Sequence, residues 1–206
     1  MDVMALARAE RADLAGFLRT LTPEQWDAPS LCEKWRVRDV IAHLVSYEGL
    51  SVAGLGQRFV RGGLLPDRVN GHSVQEHQAS TPASLLARVE RYEQPEGLTA
   101  GFGGRIALTD GMIHQQDIRR PLGLPRQIPP DRLRVALPFA YTAPLVRGFW
   151  NCRGVTVVAT DVDWCAGSGP EVHGPGEAVL MALGGRRGVA QELSGPGKDR
   201  LVQRFG

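Results

Sequence analysis

Apolar and polar positions follow a helical period through most of the chain up to about residue 150. Within MDVMALARAERADLAGFLRT, residues 3–20 set Leu6, Ala9, Leu14, Phe17 and Leu18 on an approximate stripe with Arg and Glu opposite. That pattern predicts an amphipathic helix. In LTPEQW, Thr22 is a good N-cap, Pro23 suits the first helical position and Gln25 can close a capping box, so a short helical turn follows. A second helix is expected from Val37 to Val60, with Val40, Ile41, Leu44, Val45 and Tyr47 on its buried side. Gly49, Gly54 and Gly56 weaken its second half. RGGLLPDRVNGHS reads as a loop. A third helical region spans Val74 to Tyr92 with a break at STPAS, where Ser80 or Thr81 can cap a segment opening at Pro82. A fourth helix runs from Ile106 to Arg120 and is stopped by RPLGLPRQIPP; a fifth is expected from Pro130 to Phe149.

Past that point the pattern changes. GVTVVATDVDW alternates and is rich in β-branched residues, as a strand is. CAGSGPEVHG is turn-rich with room for a second strand. GPGEAVLMALGGRRG holds a short helix, Glu177 to Leu183, ended by Gly184, and AQELSG can return as a strand. The reading is α+β: a helical domain over residues 1–150, then a small β-β-α-β unit over 151–206. A unit of about 55 residues is too small to rely on a core of its own.

Composition narrows the function classes. Hydrophobic residues make up 43% and charged residues 22%, ordinary for a soluble globular chain. The formal net charge of +2 gives no basic stripe of the kind nucleic-acid binding leaves. No apolar run is long enough for a membrane span, and Arg8, Glu10, Arg11 and Asp13 stand where a signal peptide needs apolar residues. A cytoplasmic protein is expected, monomeric or homodimeric, whose partner is a small-molecule substrate. Cys32, Cys152 and Cys165 are odd in number and widely spaced, so neither a disulfide framework nor a cysteine-rich zinc site is indicated.

The chemistry gathers in LTDGMIHQQDIRRPLG, where Asp110, His114 and Asp117 share one face of the fourth helix. Asp110 and His114 differ by about 40° around the axis, and Asp110 and Asp117 by about 20° the other way. Three readings fit this face: solvated surface with Asp117 paired to Arg120, a buried polar knot, or half of a metal site. Bundle interiors build metal sites from carboxylates and histidines on facing helices, and His43, flanked by apolar residues in the second helix, is the best placed third ligand. Two histidines and a carboxylate suit zinc, nickel, iron or manganese with a coordination position left open. Asp117 then serves as a ligand itself or as the acceptor that orients one. Elsewhere, His72 and His77 do not share a helical face, His173 reads as an exposed loop residue, and Cys32 reads as a small packed thiol with no evident base beside it. The glycine-rich GFGG and GSGPEVHGPGE lack the context of a phosphate loop, and no nucleophile elbow occurs.

WDAPSLCEKWRVRDVIAHLVSYE, with Trp26, Cys32, Trp35, Asp39 and His43, resembles the signature of the mycothiol-dependent maleylpyruvate isomerase family, within the DinB-like metal-binding superfamily. DGMIHQQDIRRPLG matches its second signature, and TDVDW followed by Gly185 and Arg186 is similar to its C-terminal domain. The resemblance implies a DinB-like four-helix bundle holding a divalent metal, zinc first, through His43, Asp110 and His114, with Asp117 behind them. Better studied members carry glutamate where this chain has Asp110, one methylene shorter. It also implies mycothiol, or a similar thiol, as cosubstrate in cis–trans isomerisation or S-transfer on a small electrophile. A C-terminal arginine, matched here by Arg186 or Arg187, would hold the substrate carboxylate. The same superfamily includes metal-dependent hydrolases, and a non-catalytic metal- or ligand-binding role on the same bundle is the competing expectation.

Overall fold

A computed structural model of the chain describes residues 2–50, 52–61, 71, 74, 75, 77 and 79–205. His72 and most of the expected loop that precedes it lie outside the described residues. The chain divides into two compact units, Met1–Pro125 and Arg126–Gly206.

The first unit contains α1 (Val3–Leu18), α2 (Pro23–Asp27), α3 (Val37–Ser46), α4 (Val52–Arg61), α5 (Pro82–Arg91) and α6 (Arg105–Arg119). Helix α1 packs on α5 and α6, and α3 packs on the same two, which closes a four-helix ring. Its apolar centre includes Leu14, Leu18, Ile41, Leu44, Leu85 and Ile118, all nearly inaccessible to solvent. The apolar stripes drive this packing, because burying a Leu or Ile side chain is worth about 1.5–3 kcal/mol.

Local signals set several boundaries. Thr22 and Gln25 form the expected capping box at α2 (Thr22 Oγ1 accepts from Gln25 N at 3.3 Å, Gln25 Oε1 from Thr22 N at 2.9 Å). Of the two candidate caps for α5, Thr81 is used, accepting from Ser84 N at 3.2 Å. The long second helix is instead two helices, α3 and α4. Gly49 between them adopts φ +69, and a Cβ there would lie 2.9 Å from the Tyr92 hydroxyl, so this turn favours glycine for both backbone and space.

The second unit contains α7 (Pro130–Thr142), α8 (Gly148–Asn151), strands β1 (Thr156–Ala159), β2 (Trp164–Gly167) and β3 (Glu171–Gly174), then α9 (Gly176–Leu183) and α10 (Lys198–Phe205). The expected fifth helix stops at Thr142, because Ala143 precedes Pro144 and is extended (φ −68, ψ 122). The compact division falls after Pro125 rather than at residue 150, because α7 packs on α9 and β2, with Leu133 and Leu137 buried.

The sheet order is β2-β1-β3, with β2 antiparallel and β3 parallel to β1. All three strands precede α9, so the order of strands and α-helices after α8 is β-β-β-α-α and not β-β-α-β. The segment expected to return as a strand forms a 3-10 turn, Val189–Glu192, and a single bridge joins Ser194 to His173. Ser194 meets the open edge of β3 (His173 N donates to Ser194 O at 2.8 Å and Ser194 N to His173 O at 2.9 Å), but the 3-10 turn before it and the left-handed Gly195 after it (φ +101) keep the pairing to that one residue.

Candidate metal centre

Helices α3 and α6 are neighbours, and each brings its polar residues to their shared side. His43, Asp110 and His114 each offer one ligand atom, and these atoms lie within 4.8 Å of one another. The α-helical repeat sets Asp110 one turn before His114, with His114 Nε2 3.4 Å from Asp110 Oδ1. The other ring nitrogen, Nδ1, faces Asp117 Oδ2 at 2.9 Å. The His43 and His114 rings meet edge to face, with centroids 5.0 Å apart. Trp35 and Tyr47 flank His43 at 5.1 and 5.6 Å between ring centroids.

The cluster has a closed side and an open one. His43, His114 and Asp117 are buried, whereas the Asp110 side chain keeps 42% of its exposure. Burial raises the Asp110 pKa, but the charges of His114, His43 and Arg11 and a hydrogen bond to His114 outweigh it and hold the carboxyl down at about 2. Burial likewise pushes the His114 pKa down. The charge of Asp110 and hydrogen bonds to Asp110, Asp117 and Cys32 overcome it, so the imidazole lies well above its ordinary value.

The donor set suits a divalent metal. Two imidazoles and a carboxylate converge, and Asp117 engages the ring nitrogen of His114 that would not bind the ion. The shorter reach of Asp110 still brings its oxygen beside His114. The face read from spacing is therefore a largely buried polar cluster rather than solvated surface.

Cys32 departs from its sequence reading. A carboxylate does lie beside it: Sγ–H donates to Asp117 Oδ2 at 3.2 Å, and Sγ is 3.8 Å from His114 Nδ1. The pattern also gave no sign of the buried pair between Arg11 Nη2 and Glu48 Oε1 at 2.5 Å, which joins α1 to the turn after α3. Gln115 Nε2 donates to Glu10 at 3.0 Å in the interior, again unannounced by periodicity. His173 pairs with Glu171 at 2.9 Å on β3 and takes no part in the cluster. Arg186 and Arg187 belong to the second unit, where Arg186 Nη1 donates to Gly184 O at 2.8 Å and Arg187 is exposed.

A four-helix ring with a buried histidine–carboxylate cluster, followed by a small α/β unit, has the DinB-like α+β architecture. Residues 7–94 match the family model described as the mycothiol maleylpyruvate isomerase N-terminal domain. The resemblance read from the sequence is borne out over these residues. Two solved structures are similar in fold over 95% of this chain and 92% of theirs, each at 13% sequence identity. One is a crystal structure of the mycothiol-dependent maleylpyruvate isomerase (TM-score 0.56), the other a histidine-to-alanine mutant of it (TM-score 0.58). No curated protein matches the sequence. Among the described residues, no helix is long and apolar enough to cross a membrane.

Proposed function

We propose that the protein is a divalent-metal-dependent enzyme that uses a low-molecular-weight thiol of the mycothiol kind for cis–trans isomerisation of, or S-transfer to, a small electrophile. The observation that carries this reading is the convergence of His43, Asp110 and His114 within 4.8 Å, in a chain whose N-terminal part matches a thiol-dependent isomerase family. These three side chains would hold the ion, zinc first, with at least one position left open. When bound, the ion supplies the positive charge that keeps a thiol ionised at neutral pH.

The chain's own residues supply orientation and access. Asp117 accepts the Nδ1–H of His114 and so presents Nε2 toward Asp110. The Trp35 and Tyr47 rings pack around His43 and shield that ligand from water. Asp110 marks the half-exposed edge from which thiol and electrophile approach. The resemblance puts forward Arg186 or Arg187 for a substrate carboxylate, which a guanidinium binds through two parallel hydrogen bonds.

The test is metal analysis of the purified protein, followed by assays with mycothiol and an activated cis-alkene carboxylate such as maleylpyruvate. Metal is expected in the wild type and lost from His43→Ala and His114→Ala, with thiol-dependent turnover lost alongside it. A metal-loaded protein inert to every thiol and electrophile pair would move the reading to a non-catalytic binding role. A protein that binds no metal, and whose stability is unaltered by His43→Ala, would overturn the metal reading altogether.

A further inference from the structure

The loop between α2 and α3 touches both histidines of the centre. Its fold is fixed locally: Ser30 Oγ donates to Trp35 O at 2.8 Å and accepts from Cys32 N at 3.1 Å, and Trp35 N donates to Cys32 O at 3.0 Å. Leu31 N then donates to Asp117 O at 2.9 Å, which pins the loop to α6 at the residue that engages His114. From this platform Trp35 lies against His43, and Cys32 Sγ reaches Asp117 Oδ2 at 3.2 Å. The same oxygen receives His114 Nδ1 at 2.9 Å, so two donors converge on one fully buried carboxylate atom.

We propose that Cys32 is a positioning residue of the centre: its S–H group holds Asp117 in the orientation that fixes the His114 ring with Nε2 turned toward Asp110 and His43. This rests on the metal reading above and deepens it. A thiol is a weak donor, but a contact to an ionised acceptor in a dry site is stronger than its neutral counterpart. With the donor removed, one of the contacts that orient the Asp117 carboxylate is lost, and the tautomer and direction of His114 are held less firmly. Cys32, His114 and Asp117 also lie close enough to hold an ion themselves. That arrangement would claim the His114 Nδ1 that now faces Asp117, so the structure favours support over ligation.

The test compares zinc affinity, by chelator competition, and the cobalt(II) absorption spectrum for wild type, Cys32→Ala, Cys32→Ser, Asp117→Asn and the double variant Cys32→Ala/Asp117→Asn. Loss of a group that orients a ligand costs roughly 10- to 100-fold in metal affinity. Cys32→Ala is expected to weaken zinc binding by that order and to alter the cobalt spectrum. Cys32→Ser, which keeps an O–H donor, restores both toward wild type. The double variant should bind no more weakly than Asp117→Asn alone, because Cys32 acts through Asp117. Should Cys32→Ala not fold, Cys32→Val removes the donor while filling the space. Wild-type affinity and spectrum in Cys32→Ala or Cys32→Val would overturn the inference. A thiolate-to-cobalt charge-transfer band in the wild type, lost in Cys32→Ser, would overturn it differently, by making Cys32 a ligand. A wild-type protein that takes up neither ion would remove the metal reading itself, which these variants cannot do.

Discussion

Glu48→Gln isolates a charge that the bundle buries beside the candidate centre. Arg11 and Glu48 are 1% and 4% exposed, so neither can turn to water. Glu48 Oε1 accepts from Arg11 Nη2 at 2.5 Å, and Oε2 accepts from Thr99 Oγ1 at 2.9 Å and from Glu96 N at 3.2 Å. Both oxygens are needed, since one faces the guanidinium and the other the 96–99 turn. Glutamine has one acceptor oxygen and an NH2 group. Whichever way its amide is placed, a donor faces a donor, and the guanidinium loses its counter-charge. Breaking a buried pair by removing one partner costs about 3–5 kcal/mol. Glutamine keeps one of the contacts, so the lower end, about 3 kcal/mol, is expected. At roughly 2–4 °C per kcal/mol for a chain of this size, that is a fall in Tm of about 6–12 °C. The assay is thermal and urea unfolding followed by circular dichroism. The double variant Arg11→Met/Glu48→Gln should be more stable than Glu48→Gln alone, because no guanidinium is then left buried without a carboxylate. A loss below about 1 kcal/mol for Glu48→Gln, or a double variant that loses the sum of the two single losses, would refute the reasoning.

Three further outcomes follow from the same structure. In metal-free protein, the lowered Asp110 pKa contributes stability above its ordinary value that is lost as pH falls through about 2. The raised His114 pKa contributes stability that is complete below its ordinary value and lost as pH rises through the folded one. Their joint contribution is therefore greatest between about pH 4 and 6.5, and the Tm difference between wild type and His114→Ala in chelator should shrink on the alkaline side; a difference that does not vary with pH would contradict this. Burial pushes the Cys152 thiol up to about 12 against the opposing charge of Arg204, whereas Cys165 is exposed. A disulfide reagent at pH 8 should therefore label Cys165 in the native protein and reach Cys152 on unfolding, and equal native rates would be inconsistent with the fold. Gly49→Ala should destabilise by about 1–2 kcal/mol through its left-handed backbone alone, with Tyr92→Phe in the same chain relieving the steric part; unchanged unfolding midpoints would argue against this turn.

What the sequence revealed about the centre depended on how far apart its parts lie along the chain. Asp110, His114 and Asp117 share a face because the helix repeat dictates it, and α6 forms within a residue of the expected boundaries at each end. His43 came next, from its apolar surroundings and from the motif around it, and the packing of α3 on α6 brings it to that face. The capping residues of α2 were equally legible, because Thr22 and Gln25 stand three residues apart and need no tertiary context. Periodicity carries no such information about Arg11 and Glu48, 37 positions apart, or about Cys32 and Asp117, 85 apart. The compact units divide after Pro125, not at residue 150, for a related reason: the apolar side of α7 shows that it must pack, but not that its partners are α9 and β2. The Cys32 loop lies between these extremes. Its fold is local, made by Ser30 and Trp35 within six residues, yet its role appears only when Leu31 and Cys32 both meet Asp117 across the bundle. A thiol with no base near it in sequence thus meets its carboxylate in space, and the polar contacts that brace the centre are those that helical spacing alone does not encode.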